Sequence, residues 1–71
     1  VQEAFEQYRE ALKINPRESA AYNNIGTLLF RQGNWGEAAR FFARALELNP
    51  DYTEARDNLR KARLEMDRAG K

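Results

Sequence analysis

The sequence of 71 residues contains neither cysteine nor histidine. Disulfides, thiolate chemistry, zinc sites built on these residues and histidine acid/base catalysis are therefore excluded. No apolar run is long enough to span a membrane, and the N-terminus lacks the pattern of a signal peptide. We expect a cytoplasmic protein that is not an enzyme, needs no metal or cofactor and does not bind membranes.

An excess of charge of one sign is also missing. The 12 basic and 11 acidic residues are interspersed and leave a net charge of +1. A nucleic-acid binder usually carries a basic patch or stripe, so we expect no nucleic-acid partner. A chain of this length is near the size at which one core is marginal, unless repeats stack.

An internal repeat is present instead. The segment 34–50, NWGEAARFFARALELNP, has a partial copy at the start of the chain, in which Pro16 corresponds to Pro50. The same offset relates Glu3-Ala4 to Glu37-Ala38, Tyr8 to Phe42, Ala11-Leu12 to Ala45-Leu46, and Ile14 to Leu48. Because the chain begins inside a repeat and without Met, we expect it to be a fragment of a longer protein.

Helical periodicity and breaker residues predict four helices. Asn34 and Glu37 have the spacing of a capping box, and either Asp51 or Thr53 is a candidate cap for the last helix. The predicted helices are Val1 to Ile14, Ser19 to Gln32, Trp35 to Leu48 and Thr53 to about Ala69. In the last one, the narrow apolar stripe comprises Ala55, Leu59, Ala62 and Met66.

Two glycines indicate how the second and third helices meet. Gly26 lies inside a helix, where glycine costs about 1 kcal/mol relative to alanine, so we expect a close helix crossing there. Gly33 and Asn34 leave room only for a short turn, which predicts an antiparallel hairpin. Trp35 opens the third helix, and we expect it to pack at the end of this hairpin.

The pattern Tyr22-x2-Ile25-Gly26-x2-Leu29, followed by Ala38-x3-Phe42-x2-Ala45-x4-Pro50, resembles the tetratricopeptide repeat. The resemblance implies an all-α fold of antiparallel helical hairpins in a right-handed superhelix. It divides the chain into the second helix of a truncated repeat (1–18), a complete repeat (19–52) and a capping helix (53–71). Arg60 and Arg63 occupy positions where the family has glycine and tyrosine, so we expect no second helix packed against the last one.

The resemblance further implies a scaffold module that holds a partner peptide in a concave groove. Mapped residue by residue, the groove would be lined by Ala20, Asn23, Asn24, Thr27, Phe30 and Arg31 of the second helix and by Glu54, Asp57, Asn58, Lys61 and Leu64 of the fourth.

Asn24 and Asn58 are also related by the repeat offset, so stacking would place them one above the other as an amide ladder for a peptide backbone. The run Ala21 to Gly26 is similar to the repeats of O-linked N-acetylglucosamine transferases, where such a ladder is known. Alternatively, the asparagines are solvated helix residues.

Phe30 and Leu64 share the same offset and would form an apolar strip in the groove; alternatively, they cover local backbone or contact a neighbouring chain. The carboxylate clamp known in this family is not expected, because Glu54 and Asn58 stand where it needs Lys and Arg. Arg31 and Lys61 would favour an acidic segment, but Glu54 and Asp57 would offset them.

A different function class also remains open. The first helix lacks a hairpin partner, so Phe5, Tyr8 and Leu12 would leave an apolar surface for a homodimer without peptide binding. Catalysis is disfavoured, because the acidic residues alternate with Arg and Lys on solvated helix faces. The near-neutral charge and the repeat period also disfavour a DNA-binding helix-turn-helix.

Overall fold

A computed structural model describes residues 2–70, apart from the side chain of Gln2. These residues form the helices α1 (Gln2–Ile14), α2 (Ser19–Arg31), α3 (Trp35–Leu48) and α4 (Thr53–Ala69), and the described part contains no strand. The all-α prediction is confirmed, and each helix ends within one residue of its predicted bounds. Val1, where we placed the start of the first helix, lies outside the described residues.

The turn between α2 and α3 is a Schellman motif. Gly33 adopts a φ of 83°, a region that glycine enters without a steric penalty. Its N–H donates to the carbonyl of Phe30 (3.0 Å), and the N–H of Asn34 donates to that of Leu29 (2.9 Å). The two helices consequently reverse direction through a short turn, and the predicted hairpin is confirmed.

This motif explains why the predicted capping box is wrong. Asn34 is the N-cap of α3, but its side chain makes no capping hydrogen bond. The box also needs the N–H of Asn34 as donor to Glu37, and that N–H is already used by Leu29. The prediction for α4 is wrong as well, because its N-cap is Tyr52, also without a side-chain cap, rather than Asp51 or Thr53.

The loops that precede α2 and α4 are built alike. Tyr22 donates from its hydroxyl to the carbonyl of Pro16 over 3.1 Å, and Arg56 donates from Nη2 to that of Pro50 over 2.8 Å. The two donors are equivalent positions of the repeat, and so are the two acceptors. Both loops are thus tied to the helix that follows them, once by a phenol and once by a guanidinium.

The core lies where α3 meets α2 and α4. Phe42 is 1% exposed, and a Cβ built on Gly26 would lie 2.6 Å from its Cε1 atom. The expected close crossing at Gly26 is therefore confirmed. On α4, the predicted stripe is buried at Ala55, Leu59 and Ala62, whereas Met66 is 37% exposed at its edge. The full set of buried apolar residues is Ala21, Ile25, Leu29, Ala38, Ala39, Phe42, Ala45, Ala55, Leu59 and Ala62.

Helix α1 is more exposed than its repeat equivalent α3. It packs on α2, and none of its described residues is buried. Tyr8 is half-buried where the equivalent Phe42 is 1% exposed, because α3 has neighbours on two sides. Phe5 and Leu12 are also only half-buried against the core.

Candidate functional site

A cleft opens between α2 and α4, above the core. Its cavity of about 250 Å³ is lined by Thr27, Phe30 and Arg31 of α2, by Asn58 and Lys61 of α4, and by Phe42 of α3. Phe42 is almost completely buried and forms the floor. The cleft thus offers an apolar floor beside an amide, a hydroxyl and two cationic groups.

A buried amide fixes one wall of this cleft. Asn23 is only 2% exposed, and its Oδ1 accepts a hydrogen bond from Nδ2 of Asn58 over 3.0 Å. Its own Nδ2 donates to the hydroxyl of Tyr52 over 3.4 Å, and Thr27 donates to its backbone carbonyl over 3.0 Å. Asn23 therefore orients Asn58 and joins α2 to α4 from beneath the surface.

The structure brings five of the eleven predicted groove residues together in the cleft: Thr27, Phe30, Arg31, Asn58 and Lys61. Asn23 lies below it, while the half-buried Asn24 and the exposed Asp57 are not among the lining residues. Leu64, 54% exposed, lines another depression on α4 and not the cleft that Phe30 lines.

Phe42 and Tyr52 were missed as parts of the site. A signal for Phe42 was available, because Gly26 and Phe30 are one turn apart on α2. A ring that fits under Gly26 therefore reaches the cleft beside Phe30. No comparable signal pointed to Tyr52, whose contact with Asn23 is a tertiary one.

The charge of the cleft is more positive than the sequence suggested. Arg31 and Lys61 both line it and are exposed, whereas Glu54 and Asp57 do not line it. The negative charges of Glu54 and Asp57, which we expected to offset those of Arg31 and Lys61, therefore lie outside the cleft.

A second cavity, of about 550 Å³, lies between α2 and α3 and is lined by Tyr22, Glu37, Arg40, Phe41 and Arg44. The guanidinium of Arg44 lies 5.8 Å from the ring centroid of Tyr22. The hydrogen bond with the Glu47 carboxylate raises the pKa of Arg44 above its ordinary value. Arg44 is therefore a permanent cation rather than a proton donor or acceptor.

Within residues 2–70, acidic side chains do not gather in groups of three that could hold a metal ion. None of the helices described combines the length and the apolar character that crossing a bilayer requires.

Comparison with known proteins identifies the repeat. The family model described as Tetratricopeptide repeat matches residues 19–52, and a second one, described as TPR repeat, matches residues 1–33. Together they cover the chain from its first residue to Tyr52.

Several curated proteins contain a similar segment. Protein arginine N-methyltransferase 9 of Homo sapiens and Protein O-mannosyl-transferase TMTC1 of Homo sapiens are each 38% identical over 58 residues, which is 82% of this chain. A probable UDP-N-acetylglucosamine--peptide N-acetylglucosaminyltransferase SPINDLY of Solanum lycopersicum is 38% identical over 56 residues, or 79% of the chain. The chain spans only 7% of the length of the first two proteins and 6% of the third.

Proposed function

The chain belongs to the tetratricopeptide repeat family, and we propose that it is a scaffold module that holds a peptide segment of a partner protein in the cleft between α2 and α4. Repeats of this family mediate protein–protein interaction. The observation that carries the more specific proposal is the cleft itself, in which apolar, amide and cationic groups converge.

The lining residues favour a particular kind of segment. The rings of Phe30 and Phe42 suit an apolar side chain entering the cavity, because apolar surface is removed from water there. Asn58 donates through Nδ2 to Asn23, so we expect its Oδ1 to accept an N–H from the peptide backbone. Arg31 and Lys61 favour an acidic residue beside the apolar one.

A role without catalysis fits the same residues. The transferase names belong to proteins of which this chain matches a short repeat segment. We propose that the chain contributes binding and no chemistry of its own. The cytoplasmic location, and the absence of nucleic-acid and membrane partners, stay predictions.

The test is an NMR titration of the ¹⁵N-labelled chain with two peptides that share one central leucine. One carries aspartates and the other lysines on either side of the leucine. We expect the acidic peptide to shift the signals of Thr27, Phe30, Asn58 and Lys61, and the basic one to have little effect.

Variants show whether the response comes from the cleft. Phe30→Ala and Lys61→Glu should each weaken binding of the acidic peptide, while Arg17→Glu, outside the cleft, is the control. Peptide shifts that avoid the cleft, or that Phe30→Ala leaves unchanged, would show that the proposed site is wrong.

A further inference from the structure

The face of α4 that carries Arg56, Arg60 and Arg63 bears a row of positive charge. These residues follow one another at helical spacing and line a shallow depression together with Leu59 and Leu64. We call the three arginines the basic row. All three are exposed, and they combine charge with the apolar surface of Leu64.

Helix α1 carries the opposite charge in a similar arrangement. Glu3, Glu6 and Glu10, which we call the acidic row, line another depression together with Gln7. Glu10 forms an ion pair with Lys13 at 3.0 Å, but both side chains are largely exposed, so this pair is weak and can be exchanged.

The repeat relates these two rows to a contact that exists inside the chain. The offset that takes Pro16 to Pro50 also maps α2 onto α4 and α1 onto α3. Tyr22 of α2 contacts Arg44 of α3, and the equivalent positions on α4 and α1 hold Arg56 and Glu10. If α4 met α1 of another chain as α2 meets α3, these two opposite charges would face each other.

The register extends along both helices. Leu29 of α2 and Glu37 of α3 line one cavity together with residues of α1, and their equivalents are Arg63 and Glu3. Arg56 and Arg63 of the basic row would thus each lie near a glutamate of the acidic row.

The contact would be wider than the one between α2 and α3. Arg60 occupies the position of Gly26, and Tyr8 occupies that of Phe42. A Cβ built on Gly26 would already lie 2.6 Å from a ring carbon of Phe42. Close packing is therefore impossible at this point, but long arginine side chains can bridge a wider gap to the glutamates.

We propose that the basic row of α4 docks on the acidic row of α1 of a second copy, so that chains associate head to tail. The contact joins two different surfaces, and each chain keeps one of each, so the assembly is open rather than a closed dimer. It uses none of the residues lining the α2–α4 cleft, so peptide binding and this association fail or succeed separately.

Sedimentation velocity of the 71-residue chain over a range of concentrations tests the proposal. The mean mass should rise beyond two chains with increasing concentration at about 0.05 M salt, and fall towards one chain at about 0.5 M, where charges are screened. The variant Arg56→Glu/Arg60→Glu/Arg63→Glu should remain a monomer, as should Glu3→Lys/Glu6→Lys/Glu10→Lys. Mixing the two variants should restore association, because each reversed row then meets its complement.

A matched control changes the same number of charges elsewhere, as in Arg17→Glu/Arg40→Glu/Arg68→Glu, and should associate like the parent chain. Circular dichroism checks that each variant is helical, so that a loss of association cannot be ascribed to unfolding. The proposal is overturned by a monomer at all concentrations, by a mass that saturates at two chains, or by association that survives reversal of either row.

Discussion

Asn58 donates a hydrogen bond of 3.0 Å to Asn23, and this bond ties α4 to α2 beneath the cleft. The acceptor is buried, and its own amide donates to Tyr52. Asn23 therefore has a structural role that its sequence neighbour Asn24 does not share. Substituting each asparagine in turn should distinguish the two.

Asn23→Leu should lower the free energy of unfolding by about 1–3 kcal/mol, because it removes the partner of a part-buried amide and of a hydroxyl. Asn24→Leu, at a half-buried position outside this network, should change it by no more than about 0.5 kcal/mol. Urea unfolding followed by circular dichroism measures both. Equal losses would show that the hydrogen bonds contribute little.

Gly26→Ala should destabilise the chain although alanine is the better helix former. The new Cβ would lie 2.6 Å from Cε1 of Phe42, and overpacking of this kind costs about 1–3 kcal/mol, against a propensity gain of about 1 kcal/mol. Combining it with Phe42→Leu should recover part of the loss.

Gly36→Ala is the matched control for Gly26→Ala. A Cβ there would lie 3.6 Å from Sδ of Met66, an ordinary contact, so the melting temperature should stay the same or rise. A loss as large as that of Gly26→Ala would contradict the steric explanation.

Gly33→Ala should cost about 1 kcal/mol, because alanine at a φ of 83° is strained. Asparagine tolerates this region better, so Gly33→Asn should retain more stability than Gly33→Ala. The melting temperatures of the two variants test this prediction. A higher melting temperature for Gly33→Ala than for Gly33→Asn would contradict it.

Asn34→Ala should be nearly neutral, within about 0.5 kcal/mol, because the side chain makes no capping bond. A working capping box would predict a loss of about 1 kcal/mol at this position. The free energy of unfolding of Asn34→Ala, measured by chemical denaturation, therefore shows whether Asn34 acts through a capping box or, as in the structure, makes no capping bond.

The helix bounds could be predicted because their determinants are local. Pro16, Pro50 and Gly33 end helices through their own backbone preferences, and Gly26 signals a close crossing through its missing side chain. The capping box failed because of a competing acceptor upstream: the carbonyl of Leu29 takes the N–H of Asn34.

The cleft was harder to predict in detail. Repeat equivalence pairs Asn58 with Asn24, but the hydrogen bond goes to Asn23, because the choice depends on how far the two helices are rotated. Likewise, Leu64 lines a different depression from the cleft that Phe30 lines. Periodicity selects a helix face to within a residue or so, whereas the geometry of a cleft depends on smaller differences.

The exposure of α1 has a consequence for the timing of local motions. A helix whose described residues include no buried side chain can detach without disrupting the core around Phe42. Its amide hydrogens should exchange with solvent through this local opening. The amide hydrogens of α3 should exchange more slowly, because their exchange requires unfolding of the whole chain. A protease should accordingly cleave α1 first, leaving the hairpin of α2 and α3 intact for longer.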